Sequence, residues 1–148
     1  MLKNYDSNDN LYIGGHGCNR NILNKNTYFH SGGPGFILTS QALHKIYPII
    51  QDVTIFVKNW INICIQSNNA TCLIPACDVT IAYIISLPEI QSKIIKLDGF
   101  YHCNYLGIPC HPNQFTFDNI YSCHLMSLHD FDNFTLILKD NDYYTTDF

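Results

Sequence analysis

Basic charge is scarce in these 148 residues: eight Lys and Arg stand against twelve Asp and Glu, for a net charge of -4. With no basic stripe to neutralise a phosphate backbone, nucleic-acid binding loses its electrostatic basis, and acidic partners are disfavoured with it. Long apolar runs are also missing. The longest apolar region, 49–65, is broken by Gln51, Asp52, Lys58, Asn59 and Asn62, which are expensive in a bilayer, so no transmembrane segment is expected. The amino end from Met1 to Asp6 has no apolar run of the length a secretory signal needs. No Gly-Lys-Ser/Thr follows the glycines of 32–35, which excludes a nucleotide-hydrolase phosphate loop. There is no Cys-x-x-Cys, no internal repeat and no low-complexity linker.

What is present is a chain able to bury a core. Hydrophobic residues make up 47% and charged residues only 14%, so one domain spanning 1–148 is expected and disorder is not. Seven cysteines leave at least one unpaired if the others form disulfides, and they leave the redox compartment open. Asn69-Ala70-Thr71 and Asn133-Phe134-Thr135 match the short N-glycosylation pattern, weak support for secretion.

The chain is organised around Tyr28-Phe29-His30-Ser31-Gly32-Gly33-Pro34-Gly35-Phe36-Ile37-Leu38, a glycine turn between two apolar runs. Three glycines in four positions permit positive φ and admit a ligand where a Cβ would clash; the plainer reading is a tight connection with no ligand. Thr39-Ser40-Gln41-Ala42-Leu43 then supplies a hydroxyl cap and helix formers, so the turn feeds a helix whose amino end is suited to an anion. Ahead of the turn, a polar loop over 1–10 leads to a strand at Leu11-Tyr12-Ile13, closed by Gly14-Gly15, and Asn-rich 16–27 reads as loop. That first strand must pair with a later segment or with another chain.

Beyond the turn, Leu43, Ile46 and Tyr47 recur at helical spacing until Pro48 ends or kinks the helix. A second helix carries the stripe Val53, Phe56, Val57, Trp60, Ile61 and Cys64, with Asp52 as cap or first-turn acid, Asn68-Asn69 as stop and Trp60 in the core. A third, short helix carries Ile81, Ile84 and Ile85, places Asp78 at its start and closes at Leu87-Pro88. Further on, the pattern predicts a strand over 92–97, an element end at Gly99 to Cys103 and a long surface excursion over 104–118. It closes with a buried strand over 119–126, a short helix over 129–138 and a frayed acidic tail. The fold class is α/β, a mixed sheet flanked by helices.

Four of these segments, in order, resemble the C-terminal half of Fringe-like glycosyltransferases, the glycosyltransferase family 31 group that includes the core 1 galactosyltransferases. Leu11-Tyr12-Ile13-Gly14-Gly15 resembles that family's Tyr-Ile-Gly segment. Tyr28 to Leu38 resembles its Ser-Gly-Gly-Ala-Gly-Tyr-x-Leu stretch, with Pro34 in place of Ala and Phe36 in place of Tyr. Ala76-Cys77-Asp78-Val79-Thr80-Ile81-Ala82 resembles the acidic stretch and helix that carry the proposed base. Tyr121-Ser122-Cys123-His124-Leu125-Met126 resembles the Ser-Phe-His-Tyr-Val segment whose His ligates the metal. The family's Asp-x-Asp strand, which precedes Tyr-Ile-Gly, has no counterpart here, since Asp6 and Asp9 stand at Asp-x-x-Asp spacing.

The resemblance implies the C-terminal, acceptor-side part of a GT-A type nucleotide-sugar transferase. It implies inverting, Mn²⁺-dependent transfer from a UDP-sugar to a hydroxyl of a glycan or glycoprotein, in the secretory-pathway lumen, although no signal or anchor is seen. Asp78 would be the base, Gly32, Gly33 and Gly35 would let donor or acceptor approach, His124 would bind the metal and His102 would line the acceptor groove. The plainer expectations are that Asp78 caps its helix and that His124 is a core histidine. As a transferase the chain would work only with the nucleotide-binding half, present as an upstream piece or a separate chain. Two other functions compete, an inactive acceptor-binding remnant and a small zinc protein suggested by His102-Cys103, Cys110-His111 and Cys123-His124. The zinc reading is the weaker, because adjacent residues on an extended chain point opposite ways.

Overall fold

A computed structural model describes residues 2–15, 17–68, 73–74, 76–101 and 122–123. After a 3-10 turn at Leu2–Asn4 come β1 (Leu11–Gly14), β2 (Gly17–Ile22), β3 (Lys25–His30), β4 (Phe36–Leu38), α1 (Ser40–Ile50) and α2 (Val53–Gln66). Then follow α3 (Cys77–Ile85), β5 (Lys93–Lys96), β6 (Phe100–Tyr101) and β7 (Ser122–Cys123). The protein is α/β with a mixed sheet, ordered β4-β1-β5, in which β1 pairs antiparallel with β4 and parallel with β5. The first strand thus finds both partners later in its own chain. β6 and β7 form a separate parallel pair.

The largest departure from expectation is at 16–27, where a hairpin replaces the loop. β2 and β3 pair from Gly17↔His30 to Ile22↔Lys25 around a two-residue turn. Both turn residues take left-handed φ, Leu23 at 49° and Asn24 at 63°, as a tight hairpin following the strand twist demands. Asn tolerates this conformation, while Leu there runs against its own preference. Strand β2 shows little apolar alternation because residues 18–21 are exposed and only Ile22 is buried.

Helix α1 begins as predicted, with Thr39 at the N-cap accepting from the Ala42 N–H. At its amino end the Gln41 N–H donates to the Ser7 carbonyl. Pro48 neither ends nor visibly limits it before Ile50. A proline in the last turn removes only one hydrogen bond, and the Gln51 N–H still reaches the Tyr47 carbonyl. The buried face is Ala42 and Ile46, whereas Leu43 and Tyr47 are 50% and 62% exposed, so the stripe read from spacing is turned partly into solvent.

Helix α2 starts at Asp52, whose carboxylate accepts from the Ile55 N–H at 3.0 Å, and it buries Trp60 and Cys64. Trp60 joins Tyr12, Phe29, Ile46, Leu73 and Ile84 in one apolar core that runs from the sheet to the helices. Helix α3 lies against β3 and buries Val79, Ala82, Ile84 and Ile85. Among the described residues, no helix is long and apolar enough to cross a membrane. The excursion over 104–118, the helix over 129–138 and both glycosylation patterns lie outside the described residues, as does the strand over 119–126 except for β7.

Candidate functional site

β1 and β5 run parallel and finish at the same rim, Gly14 opposite Lys96, and β4 starts there with Phe36 opposite Gly14. The turn over 32–35 immediately precedes β4, so the chain delivers it to the carboxyl end of the parallel pair, where open α/β sheets place ligands. The Gly35 N–H closes the turn onto the Gly32 carbonyl at 3.1 Å, and Gly35 has φ +86°, a conformation that strains any residue with a Cβ. Gly33 is exposed at the tip.

What comes close to Gly32 is Asp78. Its Oδ2 accepts the Gly32 N–H at 2.9 Å, and a Cβ built on Gly32 would stand 3.1 Å from the Asp78 Cβ and 3.2 Å from Oδ2. Oδ1 accepts from the Val79 N–H at 2.9 Å. Asp78 lies in the first turn of α3 as expected, where its charge complements the helix dipole. It is not the N-cap, however. Ala76 holds that position without a side-chain bond, and one carboxylate oxygen leaves the helix for the glycine turn. Two of the segments carrying the resemblance, 46 residues apart, therefore meet through one hydrogen bond.

Behind the turn stand three residues that the sequence reading did not single out. His30 is fully buried at the end of β3, and its backbone N–H donates to the Tyr12 hydroxyl at 3.0 Å. Its Nδ1 lies 2.5 Å from the Gly15 carbonyl and its Nε2 3.4 Å from the Tyr12 carbonyl. Carbonyls only accept, so the shorter contact assigns the proton of a neutral ring to Nδ1. Tyr28 accepts the Gly17 N–H at 2.8 Å, and its own O–H points to the Gly15 carbonyl at 3.4 Å.

The rings of Phe36, Tyr12, His30 and Tyr28 meet edge to face at centroid distances of 5.4, 4.4 and 5.3 Å. The Lys96 ammonium covers the far end, 4.4 Å from the Tyr28 centroid. Burial pushes the Tyr12 phenol well above its usual range; the His30 N–H opposes this and the Asp78 charge reinforces it. Tyr28 is raised for the same first reason, burial.

Of the residues read from sequence, the structure brings Gly32 and Asp78 together and places Gly33 and Gly35 on the same turn. His102 and His124 lie outside the described residues. Among the described residues, no three His, Cys, Asp or Glu side chains converge to hold a metal ion. Mn²⁺ prefers several hard oxygen ligands, and His124, read from the sequence as its ligand, lies outside the described residues.

Fold and site together define a mixed α/β protein in which a carboxylate is clamped onto a glycine turn at a sheet rim. Compared with known proteins, the chain matches no family model, no curated protein and no solved structure.

Proposed function

We propose that this chain is the acceptor-side part of a GT-A type sugar transferase acting on a UDP-sugar, with Asp78 as its general base. The observation that carries the reading is the Gly32 N–H to Asp78 Oδ2 bond, which fixes one carboxylate beside a glycine turn at the rim. The ordered resemblance of four segments to Fringe-like transferases supports it. Each carboxylate oxygen has two lone pairs, so Asp78 keeps acceptor capacity beyond the two N–H groups it already receives.

In the reaction, Asp78 takes the proton of an acceptor hydroxyl as that oxygen bonds to the anomeric carbon. The bond from that carbon to the diphosphate breaks, and its electron pair leaves with UDP. Inversion follows from attack opposite the leaving group. A base of this kind is worth about 10²- to 10⁴-fold in rate.

One observation favours the second reading, an acceptor-binding remnant without transfer. Both Asp78 oxygens are engaged by backbone donors, which also suits a purely structural tie between turn and helix. Calorimetry with UDP, with and without Mn²⁺, separates the two, run on the whole chain and on Asp78→Asn and His124→Ala. The transferase reading expects UDP binding that needs Mn²⁺, is lost in His124→Ala and survives in Asp78→Asn, with transfer in the latter down by about 10²-fold or more. Absence of UDP binding at millimolar concentration would leave the remnant.

A further inference from the structure

We infer that Tyr12 and His30 are positioning residues that hold the glycine turn so that Gly32 can fix the Asp78 carboxylate. The geometry is a two-ended clamp on three consecutive residues. At one end, His30 is bound to β1 through its backbone N–H on the Tyr12 hydroxyl, and its ring meets the carbonyl of Gly15 just past that strand. At the other, Gly32 donates to Asp78. Ser31 alone separates them, so few backbone torsions stand between a shift at His30 and the Gly32 N–H.

The clamp leaves little slack in other directions. A Cβ on Gly14 would fall 2.6 Å from the His30 Cγ, so β1 presses directly on the imidazole. Tyr12 is itself held edge to face between His30 and Phe36, on opposite sides of the glycine turn in sequence. The strand before the turn and the strand after it are thus referred to the same phenol ring. Loss of the hydroxyl removes one acceptor from the buried His30 N–H and loosens the hold of β1 on this segment.

The use of the carboxylate as a base rests on the transferase reading, but the clamp does not, and its test needs no substrate. Amide hydrogen exchange of the whole chain is followed by NMR at Gly32, with the sheet amides of Ile13 and Ile37 as controls. In Tyr12→Phe, which keeps the ring, Gly32 exchange is expected to rise about tenfold, roughly the worth of one hydrogen bond, while Ile13 and Ile37 change less than about twofold. His30→Asn should do the same. Unchanged exchange at Gly32, or equal acceleration at all three sites, overturns the inference, because a merely structural role lowers protection everywhere.

Coupling is reciprocal, so Asp78→Ala, at a half-buried position, should speed exchange at the His30 N–H by a similar factor. A silent His30 in that variant would also overturn it, including where the Tyr12 variant fails to fold. Selective loss at Gly32 in a chain that binds no UDP would remove the transferase reading and leave the clamp standing.

Discussion

The strand side of this molecule and its helix side are built on opposite terms. Around β1, β2 and β3, backbone meets backbone or ring with no room for a methyl group: a Cβ on Gly15 would run into the Phe100 carbonyl, and one on Gly17 into that of Phe29. On the other side, α2 and α3 leave between them an open groove of about 410 Å³ lined by Val53, Phe56, Val57, Trp60 and Ile81 among others. Ile55, 57% exposed, stands free on the same helix. Positions defined by close approach accept one residue type, whereas positions facing solvent accept many. The candidate site joins the two sides, for Gly32 comes from the turn beside the strands and Asp78 from the first turn of α3.

The sharpest way to break this contrast is Gly17→Ala. The added methyl would press on the Phe29 carbonyl across the hairpin and disturb the Gly17 N–H bond to the Tyr28 hydroxyl. Overpacking costs about 1–3 kcal/mol, and here it falls on backbone that cannot rotate away, so a loss near 3 kcal/mol is expected. Urea unfolding measures it. A loss below about 1 kcal/mol would show that the hairpin yields easily and that the strand side is not tightly specified.

The same contrast explains what was legible in the sequence. Helix α2 was readable because its signals are local: Asp52 at the cap, then Trp60 and Cys64 on one face. The hairpin was not, because exposed Cys18, Asn19, Arg20 and Asn21 carry no alternation and Leu23 is an improbable residue for a left-handed turn position. Gly32 and Asp78 were each marked by their own segments, but their meeting depends on how α3 lies against β3, which no spacing encodes. Tyr12 and His30 read as ordinary strand residues. Their roles arise only when the hairpin end packs onto β1, bringing a backbone N–H to a phenol 18 residues away.

A second, smaller effect tests the strand side through pH. Tyr12 is raised above its ordinary value of 10.0, chiefly by burial. Below pH 10 neither folded nor unfolded chain ionises it, and its contribution is fully present. Above pH 10 the unfolded chain releases the proton while the folded chain keeps it, so stability falls as pH rises. The slope is about 1.4 kcal/mol per pH unit until the folded phenol also titrates. Unfolding midpoints between pH 8 and about 11.5 should therefore decline less steeply in Tyr12→Phe than in the parent chain, with Tyr28, Tyr83 and Cys64, also raised by burial, contributing to the remaining slope. Equal slopes would mean that Tyr12 is not sealed from water.

The smallest effect belongs to the helix side and is Ile55→Ser. Ile55 follows the Asp52 cap by three residues, but the cap bond uses its backbone N–H, which serine keeps. Isoleucine and serine have similar helix propensities, and a side chain already mostly in water has little burial to lose. The expected change is within about 0.5 kcal/mol, read as an unfolding midpoint that hardly moves. A loss above about 1.5 kcal/mol is more than an exposed side chain can account for and would mean that something covers Ile55 in solution. The helix side would then be as closely packed as the strand side, and the contrast between them would disappear.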